Sequence, residues 1–148
     1  MRLEVESIYM LSSKVPAAPS RVVFADDHAG IHPLVRRILE PQFDVVDAVY
    51  DGQALVDSAA LHAPDVLVVD ISMPRLNGLE AVRRLRPQSR AAVIFLTTHP
   101  DRALLEQAIE AGADGYVLKA AAAADLVPAI QAALRGERFV SAAVEAAS

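Results

Sequence analysis

A chain of 148 residues with 53% hydrophobic residues and a net charge of −5 is sized for one domain with a buried core, and tails at most. It has no cysteine, which excludes disulfides and thiolate metal sites and fits a reducing, cytoplasmic compartment. No apolar run nears the ~20 residues that span a bilayer, and no basic cluster exceeds pairs such as Arg36-Arg37 and Arg83-Arg84, so neither membrane nor nucleic acid is expected as this chain's own partner.

The opening MRLEVESIYM carries two glutamates and no continuous apolar block, unlike a signal peptide. Residues 1–20 end in SSKVPAAPS, a polar, proline-rich stretch that reads as a flexible tail or linker. From Arg21 the pattern turns regular. VVF (22–24) is a short β-rich run, and Gly30 to Glu40 has helical spacing in Ile31, Leu34, Val35, Ile38 and Leu39. FDVVDAVY (43–50) is strand-like; Asp51-Gly52 then opens a helix through Leu61, with Pro64 beyond its end. DVLVVD (65–70) is a continuous apolar run closed by a carboxylate. Asn77 is a good cap for the next helix, with Glu80 in capping-box position, and Pro87 ends it. AAVIFLTT (91–98) is a buried strand; Pro100 suits the first turn of the following helix and Gly112 its C-terminal cap. GYVLK (115–119) is the last strand. The last helix is expected from Asp125 to Leu134, closed by Gly136, because an Asp125 N-cap puts Pro128 in the first turn, where its missing N–H is not needed.

Strands alternating with helices, several of them apolar on both faces, predict an open parallel α/β sheet, doubly wound, with five strands and five helices. Right-handed crossovers bring every strand's C-terminal end to one edge, where such sheets bind ligands. Asp26 and Asp27 follow the first apolar run, Asp70 the third, Thr97 the fourth and Lys119 the fifth. Each residue alone has an ordinary reading: an Asp after a strand is commonly a helix cap, a lone Lys lies at the surface, and a Thr is a β-branched strand residue. Together at four strand ends they form a cluster. Three carboxylates in one cleft repel and call for a cation, and hard oxygen ligands without a His or Cys cluster favour Mg²⁺. Mg²⁺ retains waters and takes phosphate oxygens readily, so Asp70 is placed as a nucleophile that carries a phosphoryl group, with Lys119 and Thr97 as partners for its oxygens.

At this point the sequence resembles the receiver domain of two-component response regulators. The resemblance covers about residues 21–140 and rests on VVFADDH, LVVDISMPRLNGLE, FLTTH and GYVLKA in the family's order. The lysine is followed by Ala120, and the ending ALRGERFVSAAV is similar to the NarL/LuxR-type subfamily, whose receivers carry a helix-turn-helix output. The resemblance implies a flavodoxin-like fold of strand order 2-1-3-4-5. It implies that Asp70 accepts a phosphoryl group from a sensor histidine kinase, and that Asp27, Asp26, Asp70 and the backbone carbonyl of Ser72 hold Mg²⁺ (or Mn²⁺). Thr97 and Lys119 would contact phosphoryl oxygens, Thr97 and Tyr116 would be the switch pair, and Ser72 and His99 would tune dephosphorylation. Such a domain is no enzyme, though it phosphorylates itself from small phosphodonors and dephosphorylates itself. Met73-Pro74 and Gly78 match the family's tight turn after the phosphoacceptor, while His28 and His32 receive no chemistry.

A phosphatase of the haloacid-dehalogenase type is disfavoured. It needs a second Asp two residues after the nucleophile, where Ser72 stands, and its acidic pair follows the nucleophile. A receiver-fold binding module that is never phosphorylated is the alternative; it usually lacks part of the acidic set or the lysine, all present here. Residues 141–148 read as the start of a linker, which favours a fragment of a longer regulator whose missing output domain binds DNA. A homodimer through a helical face is compatible with the pattern, although no face is an uninterrupted apolar patch.

Overall fold

The computed structural model of the chain describes residues 18–146. Most of the expected tail, including EVESIYML, lies outside the described residues. The chain builds a parallel sheet from β1 (Arg21–Ala25), β2 (Asp44–Val49), β3 (Val66–Val69), β4 (Ala92–Thr97), β5 (Gly115–Leu118) and β6 (Phe139–Val140), in the order β2-β1-β3-β4-β5-β6. The expected five-stranded order 2-1-3-4-5 holds, and a sixth, two-residue strand is added beyond β5.

Between the strands lie α1 (Ile31–Leu39), α2 (Gly52–His62), α3 (Gly78–Leu85), α4 (Arg102–Glu110) and α5 (Ala122–Leu134), followed by a short α6 (Ala142–Ala146). Side chains alternate across the strands and so feed two cores. Val23, Ala25, Leu67, Val69, Phe95 and Tyr116 face α2, α3 and α4, through residues such as Leu55, Val82 and Leu105. Val22, Phe24, Val68, Ile94, Leu96 and Val117 face α1 and α5, through Val35, Leu39, Leu126 and Ile130. β1, β3 and β4 are buried on both faces, which is why their sequences are continuous apolar runs.

Three local expectations change. Asp101, not Pro100, opens α4: its carboxylate accepts from Leu104 N at 2.9 Å, and Pro100 precedes the cap. Asn77 caps α3 as expected, accepting from Glu80 N at 2.9 Å, but Glu80 turns its carboxylate to Arg83 instead of completing the box. The last helix starts at Ala122 rather than Asp125, straight after a 3₁₀ turn, Lys119–Ala121. The alanine run favours helix strongly, and Pro128 is tolerated inside because it lies on the exposed side of the helix, as does Ala124, the residue whose carbonyl loses its helical N–H partner. Asp125 does not cap; it accepts from Ser141 Oγ at 2.7 Å. Where a linker was expected, α6 buries Val144 in the first core.

Candidate functional site

The candidates Asp26, Asp27, Asp70, Thr97 and Lys119 end or directly follow strands at the C-terminal edge of the sheet, while Tyr116 lies inside β5. β1 and β3 are neighbours with Ala25 opposite Val69, so Asp26 and Asp70 leave the sheet side by side, and Asp70 N donates to Ala25 O at 2.9 Å. Strand β4 ends in Thr97, and Lys119 follows β5 directly.

Asp26 is held at almost every polar atom. Its N–H donates to Val49 O at 3.1 Å, and its Oδ1 accepts from His28 N at 2.8 Å. Its side chain is fully buried, and Oδ2 accepts no hydrogen bond; neither does Oδ2 of Asp70, which is 3% exposed. Lys119 Nζ approaches the two orphans at 2.7 Å and 3.5 Å, contacts of charge rather than of hydrogen-bond geometry. A buried carboxylate oxygen without a donor is costly, and a single ammonium shared between two such oxygens leaves negative charge over. Burial, foremost, and then the Asp26 charge push the Asp70 carboxyl up to about 6; Lys119 opposes this and Asp27 adds to it.

Asp27, half-exposed, completes the acidic group. Single ligand atoms of Asp26, Asp27, His28 and Asp70 all lie within 4.8 Å of one another. The donor set suits a hard divalent cation: carboxylate oxygens, two of them buried and unsatisfied, at an open sheet edge. Ser72 lies exposed in the loop after Asp70, and its carbonyl accepts no hydrogen bond among the described residues. The expected ligand set gains one candidate. His28, to which the sequence assigned no chemistry, places Nδ1 3.2 Å from both Asp26 Oδ1 and Asp27 Oδ1. Its place directly after an acidic pair in a turn was the available signal.

The loop after Asp70 is held close by contacts that only glycine permits. A Cβ on Gly78 would collide with the Asp70 carbonyl, and one on Gly52 with the Leu76 carbonyl, so α3 and the loop can rest against their neighbours. Arg75 Nε meets Asp51 Oδ2 at 3.1 Å and ties the loop to the start of α2.

Thr97 and Tyr116 are joined through one peptide segment. Thr97 Oγ1 accepts from His99 N at 3.1 Å, and Tyr116 Oη donates to His99 O at 2.8 Å. Both side chains are buried, and burial, with the Asp101 charge, pushes the Tyr116 phenol up to about 12, the Thr97 hydroxyl opposing the shift. The His99 ring is exposed, so its backbone, not its imidazole, is the part engaged.

The family model for the response regulator receiver domain matches residues 22–131. The chain is 36% identical over 127 residues to the transcriptional regulatory protein PdtaR of Mycobacterium tuberculosis, an alignment that spans 85% of this chain and 62% of PdtaR. The structure is similar to a LuxR-family two-component response regulator from Aurantimonas sp. SI85-9A1, with a TM-score of 0.82, 32% identity, and coverage of 87% of this chain and 94% of that one. It is also similar to the isolated receiver domain of RcsB from Salmonella enterica, determined with the phosphomimetic BeF₃⁻, with a TM-score of 0.79, 28% identity, and coverage of 86% and 97%. The chain thus spans less than two thirds of the curated relative's length. A family match running from the first residue of β1's apolar core to the last turn of α5, over a sheet of the same architecture, settles its kinship: the chain belongs to the receiver domains of response regulators.

Proposed function

We propose that this receiver domain is a phosphorylation-driven switch with Asp70 as phosphoacceptor. The observation that carries the reading is the pair of buried, donor-less carboxylate oxygens on Asp26 and Asp70, facing one lysine at the sheet's C-terminal edge. Asp26, Asp27, Asp70 and the Ser72 carbonyl would hold Mg²⁺, with Mn²⁺ as a substitute. Bound there, the cation supplies charge compensation for the phosphoryl oxygens. An Asp70 oxygen attacks the phosphorus of a phosphohistidine on a sensor histidine kinase. The P–O bond forms as the P–N bond breaks, and the leaving imidazole recovers a proton from water. Lys119, already within ionic reach of Asp70, stays to pair with the added charge.

Thr97 would then leave His99 N for a phosphoryl oxygen, loosening the segment that Tyr116 Oη also holds. Ser72 and the exposed His99 flank the site on two loops and would set how readily water removes the group. The receiver unit is taken as residues 21–140. Because PdtaR is named a transcriptional regulator, the output that this domain controls is proposed to be transcription, through a DNA-binding part outside residues 21–140 as the NarL/LuxR-type resemblance implies.

The test is phosphoryl incorporation from acetyl phosphate, comparing wild type with Asp70→Asn, with and without Mg²⁺. Incorporation that requires both Asp70 and Mg²⁺ is expected. A folded, Mg²⁺-loaded protein that takes no phosphoryl group would instead be a receiver-fold binding module.

A further inference from the structure

His32 is a buried polar residue that the phosphoacceptor reading leaves unused. It stands in the first turn of α1, 6% exposed, with its ring between Phe24 (centroids 4.8 Å apart, tilted) and Tyr50 (4.3 Å, stacked). Helical side chains lean toward the N-terminus, and this one reaches back over the 26–30 turn. Its Nε2 lies 2.8 Å from the Asp26 carbonyl oxygen, which only accepts, so Nε2 carries the hydrogen and donates. Its Nδ1 is buried with no partner.

A leucine would fill this space without leaving a nitrogen unsatisfied, so ring packing alone does not account for an imidazole here. The carbonyl that it holds belongs to the peptide joining Asp26 to Asp27. That peptide is planar, so fixing its oxygen fixes the plane from which the Asp27 backbone departs. With Asp26 N on Val49 O and Asp26 Oδ1 on His28 N, this bond completes the restraint on the residue and sets Asp27 relative to it.

Resting on the reading of the acidic pair as a Mg²⁺ site, we propose that His32 is a positioning residue for that site: its Nε2–H, through the Asp26 carbonyl, presets the angle between the two carboxylates that take the cation. The histidine touches no ligand and acts through the backbone alone.

Three variants separate the donor from the ring. His32→Gln keeps an amide N–H at the reach of Nε2, His32→Asn holds its amide at the reach of Nδ1, and His32→Leu fills space with no donor. Mg²⁺ is titrated into the unphosphorylated full chain and followed by backbone-amide NMR, with melting measured beside it. The Asn and Leu variants should bind Mg²⁺ about two- to tenfold more weakly, the range one hydrogen bond supports, and should shift the Asp27 amide even without Mg²⁺. The Gln variant should stay near wild type in both readouts. If Asn and Leu melt earlier yet bind Mg²⁺ as wild type does, His32 is core filling and the proposal is wrong. Equal loss in all three variants overturns it too, because the ring and not the donor would then matter. The Gln–Asn contrast carries the test even if Leu fails to fold. A wild-type chain that binds no Mg²⁺ removes the underlying reading, and this proposal with it.

Discussion

Lys119 supplies one positive charge to Asp26 and Asp70 at once, with Nζ 2.7 Å and 3.5 Å away. Breaking a buried pair by removing one partner costs about 3–5 kcal/mol, and here two carboxylates would lose their cation. Lys119→Met should therefore lower cation-free stability by about 3 kcal/mol in urea unfolding at neutral pH. An unchanged midpoint would mean that the ammonium contributes only to the phosphorylated form. Asp70 adds a pH dependence of definite sign. Its folded carboxyl is pushed up to about 6 from an ordinary 3.8, so between those values the folded chain keeps a proton that the unfolded chain has released. Cation-free stability is thus full below the lower value and falls as pH rises to about 6, by at most about 3 kcal/mol. Asp70→Asn cannot ionise and should lose that fall. Unfolding in EDTA at about pH 4.5 and about pH 7.5 checks it, and equal slopes in the two proteins would place Asp70 among ordinary carboxylates.

Among the elements, α3 is placed by what its first residue lacks. Gly78 donates its N–H to Ile71 O at 2.8 Å, and a Cβ there would strike the Asp70 carbonyl. Gly78→Ala should cost about 1–3 kcal/mol as overpacking does and slow phosphoryl uptake, because the backbone that carries Asp70 has to shift. Uptake at the wild-type rate in a stable Ala variant would show that α3 yields instead. This close approach was legible in the sequence only as a turn signal. The strand-end residues Asp26, Asp70, Thr97 and Lys119 were legible because a parallel sheet sends all such ends to one edge, whatever the loops do. What stayed hidden depends on three-dimensional contacts that sequence spacing does not carry. Asp125 reads as a cap from its neighbours, but Ser141 Oγ, 16 residues on, claims its carboxylate. Two-residue β6 has no periodicity to read, and His28 and His32 are assigned by the geometry of a turn rather than by spacing.

At the scale of the whole molecule, β5 links the site to the far edge. It carries Tyr116, leads into Lys119, and pairs with β6, where Ser141 N donates to Tyr116 O at 3.0 Å and Ser141 Oγ accepts from Leu118 N at 3.2 Å while donating to Asp125. The same strand thus borders the proposed switch pair on one side and the strap of β6 and α6 on the other. If Asp70 is loaded as proposed, Thr97 and Lys119 would be drawn toward the added charge, and Tyr116 and Leu118 offer a short route from there into Ser141 and Val144. β1, buried between β2 and β3, offers no such exit. Hydrogen exchange with Mg²⁺ and beryllofluoride should therefore change at Leu118 and from Ser141 to Val144, while Val22 to Phe24 keep their protection. Ser141→Ala, which removes both side-chain bonds of the strap, should raise exchange at those positions before any loading and shrink the further change. If loading alters exchange only around Asp70, or alters β1 equally, the strap is a passive cover and the signal leaves the domain by another face.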